Sequence, residues 1–264
     1  MPPVPNPGKH INVRGFSRTA PRCGLPETTR RARTVTGREY LLERDGLSAM
    51  FNEQLQREDY RHRTAIDVGT GSGRVVWAVA PRAHRVVGVD NDPRRLMEAR
   101  AYAAVRGFNR VEFVLGDAET APWSAFRAEP FDFVFAHLFM SEAVVFRASQ
   151  HLRAGGKIVL CALHPDHWRE TGRESRHSFT EDEVRDLLVE NGFEVEFLGV
   201  DRTVIECADR LEAERVLGPA IVRKWVEDGR WEGLADSFRR GARTITLAHV
   251  VAKARKLAHG PVGD

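Results

Sequence analysis

Residues 64–74, Thr-Ala-Ile-Asp-Val-Gly-Thr-Gly-Ser-Gly-Arg, place the tightest constraint on the fold. A short β-prone apolar run meets a loop with glycine at every second position, and helix-type sequence begins at Arg74. Glycines at that spacing let the backbone turn sharply and let a ligand approach where a Cβ would collide. The spacing also disfavours two common loops. A dinucleotide fingerprint would need its third glycine at position 74, which is Arg74, and a P-loop would need Gly-Lys-Ser/Thr after the last glycine. Asp67 stands at the mouth of the loop, where it would repel a pyrophosphate and suit a ligand with positive groups.

The rest of the chain alternates strand and helix around this unit. Arg85–Val89, Val111–Leu115, Phe131–Ala136 and Lys157–Leu163 read as strands. Asp92-Pro93 opens a helix through Val105, and a second helix near Ser141–Leu152 ends at Gly155-Gly156. Thr180-Glu-Asp-Glu183 is a capping box closed by Asn191-Gly192. Phe193–Gly199 and Thr244–Ala254 alternate as strands, with a charged helical insertion at about 208–240 between them. The expected architecture is α/β: a Rossmann-like, doubly wound, seven-stranded and mostly parallel sheet with an antiparallel closing hairpin. Its expected extent is 37–256, between an arm at 1–36 and a tail at 257–264.

Each of the first three strands of this series ends in an acid: Asp67, then Asp90 in Val-Gly-Val-Asp, then Asp117 in Leu-Gly-Asp-Ala-Glu. Acids at successive carboxyl ends of parallel strands converge where such sheets bind ligands, and one at the second strand can accept both ribose hydroxyls. Taken singly, each is equally a helix cap or a solvated loop acid.

With Phe131-Asp132-Phe-Val and Leu152-Arg-Ala-Gly-Gly156 the series resembles the class I S-adenosylmethionine-dependent methyltransferases over about residues 60–200. His249-Val-Val-Ala-Lys253 is similar to that family's last strand. The resemblance implies S-adenosyl-L-methionine as cofactor. Asp67 and the loop Gly69, Thr70, Gly71 and Gly73 would hold its methionine moiety, Asp90 its ribose, and Asp117 with Ala118 its adenine. Asn91 departs from the pattern, since family members often place an apolar residue against the adenine there. The departure implies weaker binding or another cover for the ring, such as Trp123.

Methyl transfer from a sulfonium chiefly requires alignment and exclusion of water, so no single catalytic residue is diagnostic. Phe135-Ala136-His137-Leu138 lacks the Asn/Asp-Pro-Pro-Tyr/Phe and Pro-Cys motifs of base-methylating enzymes. His137 and His164 are the candidate general bases, although each reads more readily as an ordinary structural or loop-lining histidine. His164-Pro-Asp-His167 is a poor chelate, so no metal is expected. Trp168, Trp225, Trp231, Phe139 and Phe179 could wall an apolar acceptor pocket or pack a core.

The overall charge of +3 conceals an asymmetry. Residues 1–38 hold eight basic residues (Lys9, Arg14, Arg18, Arg22, Arg30, Arg31, Arg33, Arg38) against Glu27 alone, which leaves the rest acidic. Six of the thirteen prolines lie there too, so a flexible arm is expected. It could hold nucleic acid, although no aromatic residues alternate with its arginines. Three scattered cysteines, no apolar run long enough for a membrane span and no secretory start point to the cytoplasm. The favoured activity is methyl transfer to an oxygen or nitrogen of a small organic molecule. The alternatives are an RNA or protein methyltransferase recruited by the arm, a non-catalytic cofactor-binding module, and an NAD-dependent oxidoreductase.

Overall fold

A computed structural model describes residues 26–43, 46–126, 130–175 and 177–258. The strands are β1 (Thr29–Thr36), β2 (Thr64–Val68), β3 (Arg85–Asp90), β4 (Val111–Leu115), β5 (Phe131–His137), β6 (Leu152–Leu163), β7 (Phe193–Glu206) and β8 (Thr244–Lys256). The helices are α1 (Gly37–Glu43), α2 (Ala49–Gln56), α3 (Arg74–Val79), α4 (Pro93–Arg106), α5 (Glu142–His151), α6 (Glu181–Glu190), α7 (Arg210–Leu217), α8 (Pro219–Asp228) and α9 (Arg230–Arg239). One sheet runs in the order β1-β7-β8-β6-β5-β2-β3-β4, antiparallel only where β8 meets β6 and β7.

Local chemistry sets the elements around the ligand edge. Pro93 follows the cap Asp92, whose side chain accepts from Arg94 N, and Gly107 ends α4 with φ 70°. The Thr180–Glu183 capping box forms with both reciprocal bonds. Along β2, Ile66 and Val68 point into one apolar layer with Val144, Val145 and Leu188, while Ala65 joins Phe51, Val76 and Leu96 on the other side. A strand covered on both faces reads as an uninterrupted apolar run, as this one does. Strand order reverses between β5 and β2, which opens a crevice at their carboxyl ends.

The structure corrects the sequence reading in two places. The sheet has eight strands among the described residues rather than seven, because β1 pairs in parallel with β7 from Thr29–Gly199 to Thr36–Glu206. The arm boundary therefore fails at this point. Residues 29–36 carry β-branched Thr and Val, but their arginines hid the strand; here Arg30 pairs with Glu181 and Arg31 with Glu53 at 2.8 Å. The expectations for residues 1–25 and 259–264 lie outside the described residues. Secondly, β6 starts at Leu152, directly after α5, and carries Gly155-Gly156 within it, with a register shift against β5 between Phe131 and Phe133.

Helices α7–α9 fill the span between β7 and β8 and form a third apolar cluster around Trp225, Leu234 and Phe238. Val35 and Tyr40 pack against it, so β1 and α1 are part of this layer. Among the described residues no helix is long and apolar enough to cross a membrane. Replacing Val35 by Ala should lower stability in urea unfolding by about 1 kcal/mol, for two partly buried methyl groups. A loose arm would show no change.

Candidate active site

The loop after β2 is built by close approach. Gly69, Gly71 and Gly73 have φ of 67°, 55° and 91°. A Cβ on Gly69 would collide with the Phe139 ring, and one on Gly73 would stand 2.6 Å from Trp77 Cζ2. Asp90 fastens the loop: its Oδ2 accepts from Gly71 N at 2.7 Å and its Oδ1 from Asp92 N at 2.9 Å. Thr70 N donates to Val89 O and Gly116 N to Asp90 O, which draws the loops after β2, β3 and β4 together.

Beneath this loop Asp67 is buried. One oxygen accepts from Thr70 Oγ1 at 2.6 Å, and the other, Oδ1, has no partner. Burial, with the Asp90 charge nearby, pushes its carboxyl up to about 7. Asp117 Oδ1 accepts from Glu119 N at 2.8 Å, forming a tight turn that leaves Oδ2 free. A cleft of about 650 Å³ joins these groups, lined by Asp67, Gly69, Thr70, Gly71, Asp90, Asn91, Asp117, Ala118 and His137 among others. Every residue singled out from the sequence for the cofactor, apart from Gly73 at the start of α3, lines this one cleft.

Other residues singled out from the sequence lie away from the cleft. Trp123 does not reach the cleft: it is fully buried, donates from Nε1 to Ala118 O at 2.9 Å, and so supports the Ala118 loop from beneath. His164 lines neither this cleft nor the cavity beside it. Its Nδ1 accepts from Asp166 N at 3.0 Å and its Nε2 stands 3.3 Å from Glu181 Oε2, so both nitrogens are engaged in tying the loop after β6 to α6. Phe179 packs against the main core and Trp225 is buried in the insertion.

His137 does face the cleft, with its ring 4.9 Å from that of Phe51. Burial pushes its pKa down to about 3, and the charges of His249 and Arg74 act in the same direction. It is therefore a neutral and weak base.

Next to the cleft lies a second cavity of about 770 Å³, sharing Leu138 and Phe139 with it. Met140, Ala162, Leu163 and Trp168 give it an apolar wall. Leu138 and Trp168 both hold left-handed backbones, with φ of 58° and 60°. Such conformations are rare for bulky side chains and concentrate at functional sites. Nothing in the sequence signals Leu138, because its conformation is imposed by the bond from its N–H to Cys161 O at 2.7 Å.

A methyltransferase-domain family model matches residues 60–192. The chain belongs to the class I S-adenosylmethionine-dependent methyltransferases. It is 32% identical over 105 residues to trans-aconitate 2-methyltransferase of Streptomyces avermitilis, covering 38% of each chain. It is 34% identical over 104 residues to ribosomal protein L11 methyltransferase of Thermus thermophilus, covering 38% of this chain and 39% of that one. The alignments thus span well under half of these relatives. In fold it is similar to a putative methyltransferase from Bacillus halodurans, with a TM-score of 0.60 at 22% identity over 78% of this chain and 98% of the other. An S-adenosylmethionine-dependent methyltransferase from Mesorhizobium loti gives 0.50 at 18% identity, over 77% and 96%.

The cofactor is S-adenosylmethionine, and the site fits it. The unpartnered Asp67 Oδ1 lacks a donor, which an ammonium supplies. Asp90 keeps lone pairs for hydroxyls after taking two amides, and Asp117 keeps a whole oxygen for an exocyclic amine. When bound, the cofactor supplies a methyl group on a positively charged sulfur.

Because the folded pKa of Asp67 lies above its ordinary 3.8, its contribution to stability is fullest below that value and is lost as pH rises through about 7. A cationic ligand favours the ionised form, so affinity should run the other way. Titration calorimetry with S-adenosylhomocysteine should show affinity rising roughly tenfold from about pH 5.5 to 7, where an α-ammonium remains charged. Asp67→Asn should flatten that slope. Asp90→Asn, which sets an amide NH₂ against one of two backbone N–H groups, should weaken binding at least about tenfold at any pH, as expected for charge-assisted bonds of ~1.5–3 kcal/mol.

Proposed function

We propose that this enzyme transfers the methyl group of S-adenosylmethionine to an oxygen or nitrogen of a small organic molecule held in the second cavity. The observation that carries this reading is the shared wall: Leu138 and Phe139 border both the cofactor cleft and the cavity behind it. A cavity walled by Trp168 and Met140 and bordered by the insertion is a partly enclosed space of the size that takes small molecules. In such a space the protein contributes alignment and exclusion of water, which is most of what methyl transfer asks of it.

The chain's relatives do not choose the acceptor, since one is named for a small molecule and another for a ribosomal protein. An RNA or protein acceptor drawn in by the basic segment has less support. Arg30 and Arg31 are engaged with Glu181 and Glu53, and Arg33 donates to Thr203 Oγ1, so the arginines of β1 serve the sheet edge. A non-catalytic binding module is disfavoured by the intact set of three acids around the cleft. Free, buried Cys161 and Cys207 are in keeping with a reducing, cytoplasmic setting.

The test is partition of label. Incubated with methyl-tritiated S-adenosylmethionine and a fractionated cell extract, the enzyme should place at least about ten times more label in the low-mass fraction than in RNA or protein, given a cavity of small-molecule size. Label carried chiefly by the macromolecular fractions would overturn the small-molecule reading.

A further inference from the structure

The charges around the second cavity are distributed unevenly. Three cations reach it from separate segments: Arg173 from the loop after β6, Lys224 from α8 and Arg230 from the start of α9. Asp228 Oδ2 lies 3.6 Å from Arg230 Nε. Arg173 donates to the carbonyl oxygen of Asp228, a contact that neutralises no charge. Lys224 has no hydrogen bond or ion pair among the described residues.

Three carboxylates, Asp228, Glu174 and Glu119, line the cavity as well, so its charges balance overall and the cationic bias is confined to the α8–α9 side, which supplies Lys224 and Arg230 against Asp228, with Arg173 donating to the Asp228 carbonyl. Glu174 Oε1 accepts from Ser178 Oγ at 3.0 Å. Glu119 follows β4, at the far edge of the sheet from the β7–β8 pair that carries the insertion. The insertion side thus presents cationic donors, Lys224 and Arg173, that no carboxylate among the described residues holds. Beside them stand the apolar Met140, Leu163 and Trp168. Lysine and arginine facing a partly enclosed space, next to apolar surface, form a recognition pattern for an anionic group on an apolar body.

We propose that the acceptor is an amphipathic organic acid, its carboxylate set against Lys224 and Arg173 and its apolar body against Met140, Leu163 and Trp168. The opposite end of such a molecule is then directed toward Phe139 and the cofactor cleft, where the methylated atom must lie. This assignment rests on the second cavity being the acceptor site, and it gives that site a substrate class.

The experiment uses three probes with one skeleton: 4-phenylbutyrate, 4-phenylbutanamide and 4-phenylbutylamine. Each is titrated calorimetrically into the full chain, with and without saturating S-adenosylhomocysteine. The acid should bind at least about tenfold more tightly than the amide or the amine, because only it matches the charge of the wall. Lys224 is exposed on α8, so Lys224→Glu should fold normally; it should weaken the acid about tenfold or more while S-adenosylhomocysteine affinity changes by less than about twofold. Lys224→Arg should retain acid binding within about threefold, since the charge is kept.

Equal or tighter binding of the amine or amide, no binding by any of the three, or acid binding unaffected in Lys224→Glu would each overturn the proposal. Because binding is read without turnover, its failure is separable from that of the acceptor-cavity reading. Label found in RNA or protein would remove the latter and leave a carboxylate site standing. Label in small molecules with a preference for the amine would do the reverse.

Discussion

The carboxylate of Asp90 is the point from which the cofactor half of the molecule is organised. It ends β3, yet it fastens the loop after β2 through Gly71 N and its own following turn through Asp92 N. Its backbone carbonyl takes Gly116 N from the loop after β4. Three loops from successive strands are thereby held at one place. The arrangement has a cost, because a second acid, Asp67, is buried close by. That cost falls on Asp67, whose carboxyl is pushed up to about 7 and whose Oδ1 lacks a partner. A site that keeps a buried carboxylate short of one donor is prepared for a cationic ligand, since binding relieves a desolvation penalty already incurred in folding.

This half was legible in the sequence because each of its parts is local. Glycine spacing, an acid at a strand end and a cap followed by proline all report backbone geometry within a few residues of themselves. Asp67, Asp90 and Asp117 fall about one βα unit apart, so alternation of strands and helices alone brings them to one edge. The misreadings have equally physical causes. Residues 29–36 form a strand whose arginines serve as ion-pair partners for α2 and α6, and charge density of that kind looks like a solvated tail until the partners are known. Trp123 is close in sequence to the adenine edge, but its indole N–H is satisfied only by turning inward to Ala118 O. His164 was legible as a histidine beside the strand end, not as one whose two nitrogens are both engaged.

The proposed acceptor half follows the opposite logic, as its residues come chiefly from the loop after β5, the end of β6 and the loop after it, α8 and α9. Two of them, Leu138 and Trp168, hold left-handed backbones, a strain of order 1–3 kcal/mol each. Leu138 is fixed by its bond to Cys161 O, and Trp168 by its bond to Thr246 O at 2.7 Å, so β6 and β8 enforce both. Left-handed backbones at such positions are kept only where surrounding structure over-determines them. Here the consequence is to set a leucine and an indole against the same cavity, one bordering the cofactor cleft and one bordering the insertion.

The position of Trp168 also explains why the N-terminal strand belongs to this fold. Its ring meets Trp225 edge-on, with centroids 4.8 Å apart, and backs onto a third, largely apolar hollow of about 350 Å³ lined by Tyr40, Ile205, Leu217 and Ile245. Tyr40 comes from α1, which directly follows β1, and α1 packs against α7 so closely that a Cβ on Gly37 would stand 2.8 Å from Glu212 Oε1. The wall of the proposed acceptor cavity is therefore supported by α1 as well as by the insertion. A change in β1 or α1 reaches the cavity through Tyr40 and Trp168, and Arg74, which borders both this hollow and the cofactor cleft, ties the same region to the cleft that Asp90 fastens on the other side of β5.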